Sequence, residues 1–256
     1  MFKHPEDRVP VGIILGICGI DFYLYFLIEN IWVFLSYWLL MIIPKGKVCA
    51  WNHHHQHNHT FKSKYLNRLL EFFYALQTGV TTNLWALHHV LGHHQNYMDQ
   101  TVDQSRWKRK DGTLMGEYEY TFNVAATAYY RGYQVGKSHP MVQKDFLFYS
   151  AVTFSIIALL VIKDPVAGIF LFVLPMISGL LLTSWATYQH HAGLDTDNID
   201  EASHNNLHPF FNLTTGNLGY HTAHHYKQRL HWSKLPELHE QIKHNIPDNL
   251  IKTAWF

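Results

Sequence analysis

The stretch Asn217–Pro236, NLGYHTAHHYKQRLHWSKLP, sets the reading of the whole chain. It carries His221, His224 and His225. On a helix, residues at i, i+3 and i+4 share one face, so the three imidazoles point the same way. Neutral imidazoles converging on one point pack poorly as core and make a good half-cage for a transition metal. Two upstream stretches have a related form: His89, His93 and His94 in HVLGHH, and the crowded HHHQHNH of His53–His59. The rest of the sequence reads as a scaffold that brings these three boxes together.

The composition supports a site. There are 21 His against 20 Lys+Arg and 19 Asp+Glu, and most of the histidines fall in the three boxes or in the doublet His190–His191. The formal charge of +1 gives no case for nucleic acid. Eight Trp, 15 Tyr and 16 Phe suit a membrane protein with interfacial aromatic belts. Cys18 and Cys49 are too few for a disulfide framework or a thiolate metal site, and read as small buried hydrophobes.

Two apolar blocks flank the first two boxes. Val11–Ile43 would run about 50 Å as one helix against a hydrocarbon core of roughly 30 Å, so it reads as a pair of helices turning at Glu29-Asn30. The second of them is short unless it continues past Pro44 toward Trp51. Asp21, costly inside a span, is expected to face protein. Phe146–Thr187 would be about 60 Å long and is broken at Lys163-Asp164-Pro165. The spans are therefore placed at about 11–28, 31–50, 146–162 and 166–187. The first ten residues are polar, with His4 in a solvated tail, and the apolar run after them is too long for a signal peptide. Leu66, Leu69, Leu70, Phe73 and Leu76 have the spacing of an interfacial helix, Thr82–His94 reads as a helix, and Leu235, Leu238 and Ile242 mark an amphipathic one near the C-terminus.

Four spans put all the boxes on one side of the membrane. Of the 20 Lys and Arg, only Lys163 lies at a hairpin tip, which makes the histidine side cytoplasmic by the positive-inside rule. The mean hydropathy of −0.12 is low because much of the chain forms a cap on that side. The expected fold is mostly α: four transmembrane helices in two hairpins, with interfacial helices and a cytoplasmic cap around a di-metal site, as one domain over residues 1–256.

In the first box two i, i+4 pairs are available, His53/His57 and His55/His59. His53 and His57 are favoured, with His55 as the alternative. The combination HxxxH (His53, His57), HxxxHH (His89, His93, His94) and HxxHH (His221, His224, His225) resembles the integral-membrane fatty acid desaturase and hydroxylase superfamily, whose members are non-haem di-iron, oxygen-activating enzymes. GYHTAHHYKQRLHWSKLPELHE and HHVLGHHQNY are similar to bacterial desaturase sequences. The resemblance covers nearly the whole chain and departs from the usual form only in the crowded first box. It implies two irons held by these eight histidines plus a ninth after the fourth span, where His190 is favoured over His191.

The resemblance further implies removal of two adjacent hydrogens from a long acyl chain, or hydroxylation, ketolation or alkene-forming decarboxylation at the same centre. The substrate would be a lipid-borne long-chain acyl group. No GxGxxG or HPGG motif is present, so electrons would come from a separate ferredoxin, rubredoxin or cytochrome. A reading from another class is a non-catalytic metal-binding or metal-transport membrane protein. Transport ligands are expected mid-span, whereas these boxes lie outside the spans. Arg106, Lys108, Arg109 and Lys110 form a basic loop suited to acyl-carrier or lipid phosphates, or simply to the positive side of a membrane. His204 and His208 read as loop residues, His231 and Trp232 as an interfacial anchor, His239 and His244 as the polar face of the last helix, and Asn217 as a helix cap or a support to the metal ligands.

Overall fold

The computed structural model describes residues 1–254. Its frame is helical. Helices α1 (Arg8–Leu27) and α2 (Ile31–His57) are followed by α3 (Lys64–Thr78), α4 (Glu117–Gly136), α5 (Pro140–Lys163) and α6 (Pro165–His191). Short helices α7 (Pro209–Thr215), α8 (His221–Tyr226) and α9 (Leu235–Ile242) complete the cap. A two-residue strand β1 (Asn205–Asn206) pairs in parallel with β2 (Ile251–Lys252). Among the described residues, four helical stretches are long and apolar enough to cross a membrane: Pro5–Leu27, Ile31–His57, Pro140–Lys163 and Pro165–His191. Their outer faces expose Phe26, Trp32, Leu40, Phe148, Leu159 and Ile162, a surface that fits lipid.

The helix ends follow the local chemistry. The Asn30 side chain accepts the Trp32 N–H at 2.9 Å and starts α2. The Asp164 carboxylate accepts the Ala167 N–H at 3.0 Å, with Pro165 at the first helical position of α6. Helix α2 continues through Pro44 to His57, so His53 and His57 sit one turn apart at the end of a membrane helix. Pro44 removes one ladder hydrogen bond, and packing against α3 and α6 carries the helix across it. Asp21 does face protein: the Lys45 Nζ donates to its two oxygens at 2.8 and 2.9 Å and the Tyr37 hydroxyl donates at 2.8 Å, locking α1 to α2.

Helix α6 is central, packed against α2, α3 and α4. Its closest approach is to the end of α3. A Cβ on Gly179 would lie 2.7 Å from the Thr78 Cα and carbonyl oxygen, and one on Gly79, whose φ is +72°, would lie 2.4 Å from the Met176 carbonyl oxygen. Only glycine fits such backbone-to-backbone contact.

Several local expectations are corrected. The chain at 82–94 is not a regular helix: Ala86–Leu91 is a π-turn followed by turns through Met98. Tight contact at Gly92, where a Cβ would lie 2.5 Å from the His88 carbonyl oxygen, accompanies this wide winding. His4 is not a loose tail residue, since its ring stacks on His231 at 4.0 Å. His231 and Trp232 both bond Asp7, at 3.1 and 2.8 Å, and tie the two ends of the chain together. His239 is buried, with its ring 5.0 Å from that of Tyr220, rather than on a polar face. Helix α4, which sequence periodicity missed, carries its apolar stripe on Tyr120, Val124 and Ala128, spaced by four.

Candidate metal centre

Four elements deliver imidazoles to one buried volume. The end of α2 brings His53 and His57, the π-turn and the turns after it His89, His93 and His94, the end of α6 His191, and α8 His221, His224 and His225. They sort into two sets. In the first, the ligand atoms of His53, His57, His89, His94 and His224 lie within 4.8 Å of one another. Its closest Nε2–Nε2 separations are 2.8 Å for His53–His224, 3.0 Å for His224–His94 and 3.0 Å for His94–His89. In the second, the His191 Nε2 stands 3.3, 3.0 and 3.2 Å from those of His93, His221 and His225. The sets abut, with the His94 and His225 rings stacked at 4.2 Å.

The winding explains the sorting. The His94 N–H donates to the His89 carbonyl, an i→i+5 bond, so these two imidazoles face the same set while His93 turns to the other. On α8, His221 and His225 are a helical turn apart and share the second set, and His224 points to the first.

The donor chemistry fits a bound metal. The His93 Nδ1–H donates to the Asp103 carboxylate at 2.9 Å, and the His191 Nδ1–H donates to the Ala202 carbonyl at 2.9 Å. A neutral imidazole has one N–H, so both rings present a bare lone pair at Nε2. Those two lone pairs face each other at 3.3 Å, an arrangement that a cation between them satisfies and a hydrogen bond does not. Both nitrogens of buried His57 lack a hydrogen-bond partner, so one of them is free to ligate a metal. Burial first, and neighbouring imidazoles second, hold His89, His94, His221, His224 and His225 well below the usual imidazole range, so they stand neutral and able to ligate.

Eight of the nine histidines singled out from sequence are gathered here. The ninth, His190, is adjacent but turned aside. Its Nδ1 bonds the His204 carbonyl at 3.3 Å and its ring stacks on His221 at 3.8 Å, while His191 occupies the second set. His54 and His55 turn away as well, to the Thr215 carbonyl and to Thr60 and Glu71. His55, His59 and Glu71 form a separate small group. The Asn217 amide donates to the Trp232 carbonyl, outside both sets. Of the basic loop, Lys108 pairs with Asp195 and Arg109 with Glu119. Sequence reasoning missed Asp103, buried just before that loop, and Tyr97, whose ring lies 4.1 Å from that of His225. Neither residue carries a spacing signal, because both reach the centre through turns rather than along a helix.

An apolar cavity of 110 Å³ opens between α2 and α6 and ends on His53, His89, His190 and His221. Ile43, Cys49, Ala50 and Leu182 line its far part, and Trp85 and Trp185 its walls.

The family model described as fatty acid desaturase matches residues 30–256. No curated protein and no solved structure matches.

Proposed function

This chain belongs to the fatty acid desaturase family, and on that premise we propose an O₂-dependent desaturase that introduces a double bond into a long acyl chain, using two irons. The observation that carries the proposal is the pair of abutting, all-imidazole donor sets at the end of an apolar cavity between two membrane-spanning helices. Nine histidines would hold the metals: His53, His57, His89, His94 and His224 in one set, and His93, His191, His221 and His225 in the other. Imidazole alone accepts zinc or copper too, so iron is assigned from the family. Held there, two irons would supply the O₂ chemistry needed to remove hydrogen from an unactivated C–H bond.

The protein's own part is positioning and exclusion. Asp103 and the Ala202 carbonyl fix the ring tautomers of His93 and His191. Burial keeps the remaining imidazoles neutral, and Trp85, Leu182 and their neighbours keep water from the carbon chain. Electrons for this chemistry would come from a ferredoxin, rubredoxin or cytochrome acting as a separate donor. With 19 of 20 basic residues on the histidine side of the four spans, that partner meets the centre on the cytoplasmic side.

The test is product analysis. Purified protein with ferredoxin, its reductase, NADPH, O₂ and a lipid-borne acyl substrate should yield a product lighter by two hydrogens. An alcohol, a ketone or a terminal alkene one carbon shorter would reassign the chemistry to the hydroxylase, ketolase or decarboxylase reading. Intact metals and a working electron supply with no oxygen-dependent product would favour a metal-binding protein without catalysis.

A further inference from the structure

Three cavities share Lys47; one, of 730 Å³, is also lined by Glu6, and the other two join into a single space. Of these two, one is the apolar space between α2 and α6; the other, also 110 Å³, runs on to Gln189, Asn205, Asn206 and Lys252. Lys47, Trp185, Ala186, His190 and Phe211 line both. The joined space is amphipathic, with aliphatic side chains at one end and amides and two lysines at the other. No acidic residue lines either part. The lining does touch one carboxylate, that of Glu117, which accepts hydrogen bonds from the Gln189 amide at 2.8 Å and from the Trp185 indole.

Lys47 is half-buried and makes no ion pair among the described residues. Its Nζ lies over the Phe211 ring, 4.8 Å from the centroid. Two residues earlier, Lys45 is neutralised by Asp21. A cation held against an apolar wall without a counter-charge is costly, and a cation–π contact offsets only part of that cost. A ligand anion would offset the rest. His53 stands six residues farther along the same helix, a rise of about 9 Å, so one amphiphile can contact Lys47 and lie beside the metal ligands.

We propose that Lys47, with Lys252 beside it, binds the anionic head group of a single-chain acyl substrate whose tail lies in the apolar cavity ending on His53, His89 and His221. The shared chemistry is a carboxylate or phosphate in the head group of a lipid that carries one acyl chain. The proposal rests on the acyl-oxidising reading for the identity of the tail, and binding without turnover separates the two.

The experiment uses the metal-loaded chain in nanodiscs of neutral lipid. Equilibrium binding of radiolabelled palmitate, palmitoyl lysophosphatidate and hexadecanol is measured, with binding to protein-free discs subtracted. At least one anion should bind about tenfold or more tightly than the alcohol, as a charge-assisted contact implies. Lys47→Gln should abolish that preference while leaving hexadecanol binding and metal content unchanged, and Lys47→Arg should restore it. Preference for palmitate alone names a free fatty acid, and preference for the lysophosphatidate names a phosphate head. The proposal fails if the wild-type chain does not distinguish anion from alcohol, if Lys47→Gln keeps the preference, or if the variant weakens all three ligands equally. Loss of desaturation with the preference intact would overturn the catalytic reading and leave this site standing.

Discussion

Asp103 offers the sharpest test of the metal centre. Its two carboxylate oxygens stand 2.9 and 3.1 Å from the His93 Nδ1, the Ser105 N–H donates to one of them at 2.8 Å, and the residue is 1% exposed. Asp103→Asn keeps the shape and an acceptor but removes the charge that sets the His93 tautomer. Partners of this kind are worth about 10- to 100-fold in metal affinity, or about 1.4–2.8 kcal/mol. That loss should fall on the second set alone, because Asp103 touches no ligand of the first. Chelator titration of purified protein, with metal counted per chain at each step, should therefore change from one wild-type release to two. One metal should leave at a chelator concentration about 10- to 100-fold lower and the other should leave as before. Asp103→Ala also strands the Ser105 N–H and should lower the thermal midpoint, which the asparagine should not. An asparagine variant that releases both metals at the wild-type chelator concentration would refute the assignment of His93 as a ligand oriented by Asp103.

Three further outcomes are expected. His191→Ala should lose one metal per chain while His190→Ala keeps both, as measured by metal analysis of the purified variants; the reverse result would return the ninth ligand to His190. Asp21→Asn leaves Lys45 buried without its partner and should cost about 3–5 kcal/mol in thermal denaturation, whereas Asp21→Leu combined with Lys45→Met should come close to neutral. His89, His94, His221, His224 and His225 are held below the ordinary 6.5, and His88 is pushed by burial to about 3, so between those values and 6.5 the unfolded chain binds more protons than the folded one. Stability is then full above pH 6.5 and falls as the pH drops. Acidification from pH 7.5 to 5.5 should release metal and lower the thermal midpoint, and a midpoint that rises on acidification would contradict neutral burial.

The legible and illegible parts divide by the kind of regularity each has. Spans with the hydropathy of Phe146–Thr187 announce themselves because lipid imposes one constraint on every residue. The histidine boxes were visible because i, i+3 and i+4 spacings survive in the sequence. The sorting of His93 away from His89 was not visible, since it depends on a π-turn whose extra residue leaves no periodic trace. Asp103 reaches His93 through turns, and no spacing rule describes that path. Choosing between His190 and His191 requires the rotation of α6 about its axis, which is set by contacts far from the doublet.

That rotation is set at Gly179, where α6 touches the backbone of Thr78 and has no room to turn. His191 lies 12 residues beyond this contact, and each residue advances the helix by about 100°. The tandem histidine thus behaves as a one-sided tolerance on counting error. One residue inserted between Gly179 and His190 would carry His190 into the seat that His191 now fills, and a metal-binding imidazole would still arrive. One residue deleted there would present Ala192 instead. Along this last half of the helix the chain can lengthen by a single step and cannot shorten.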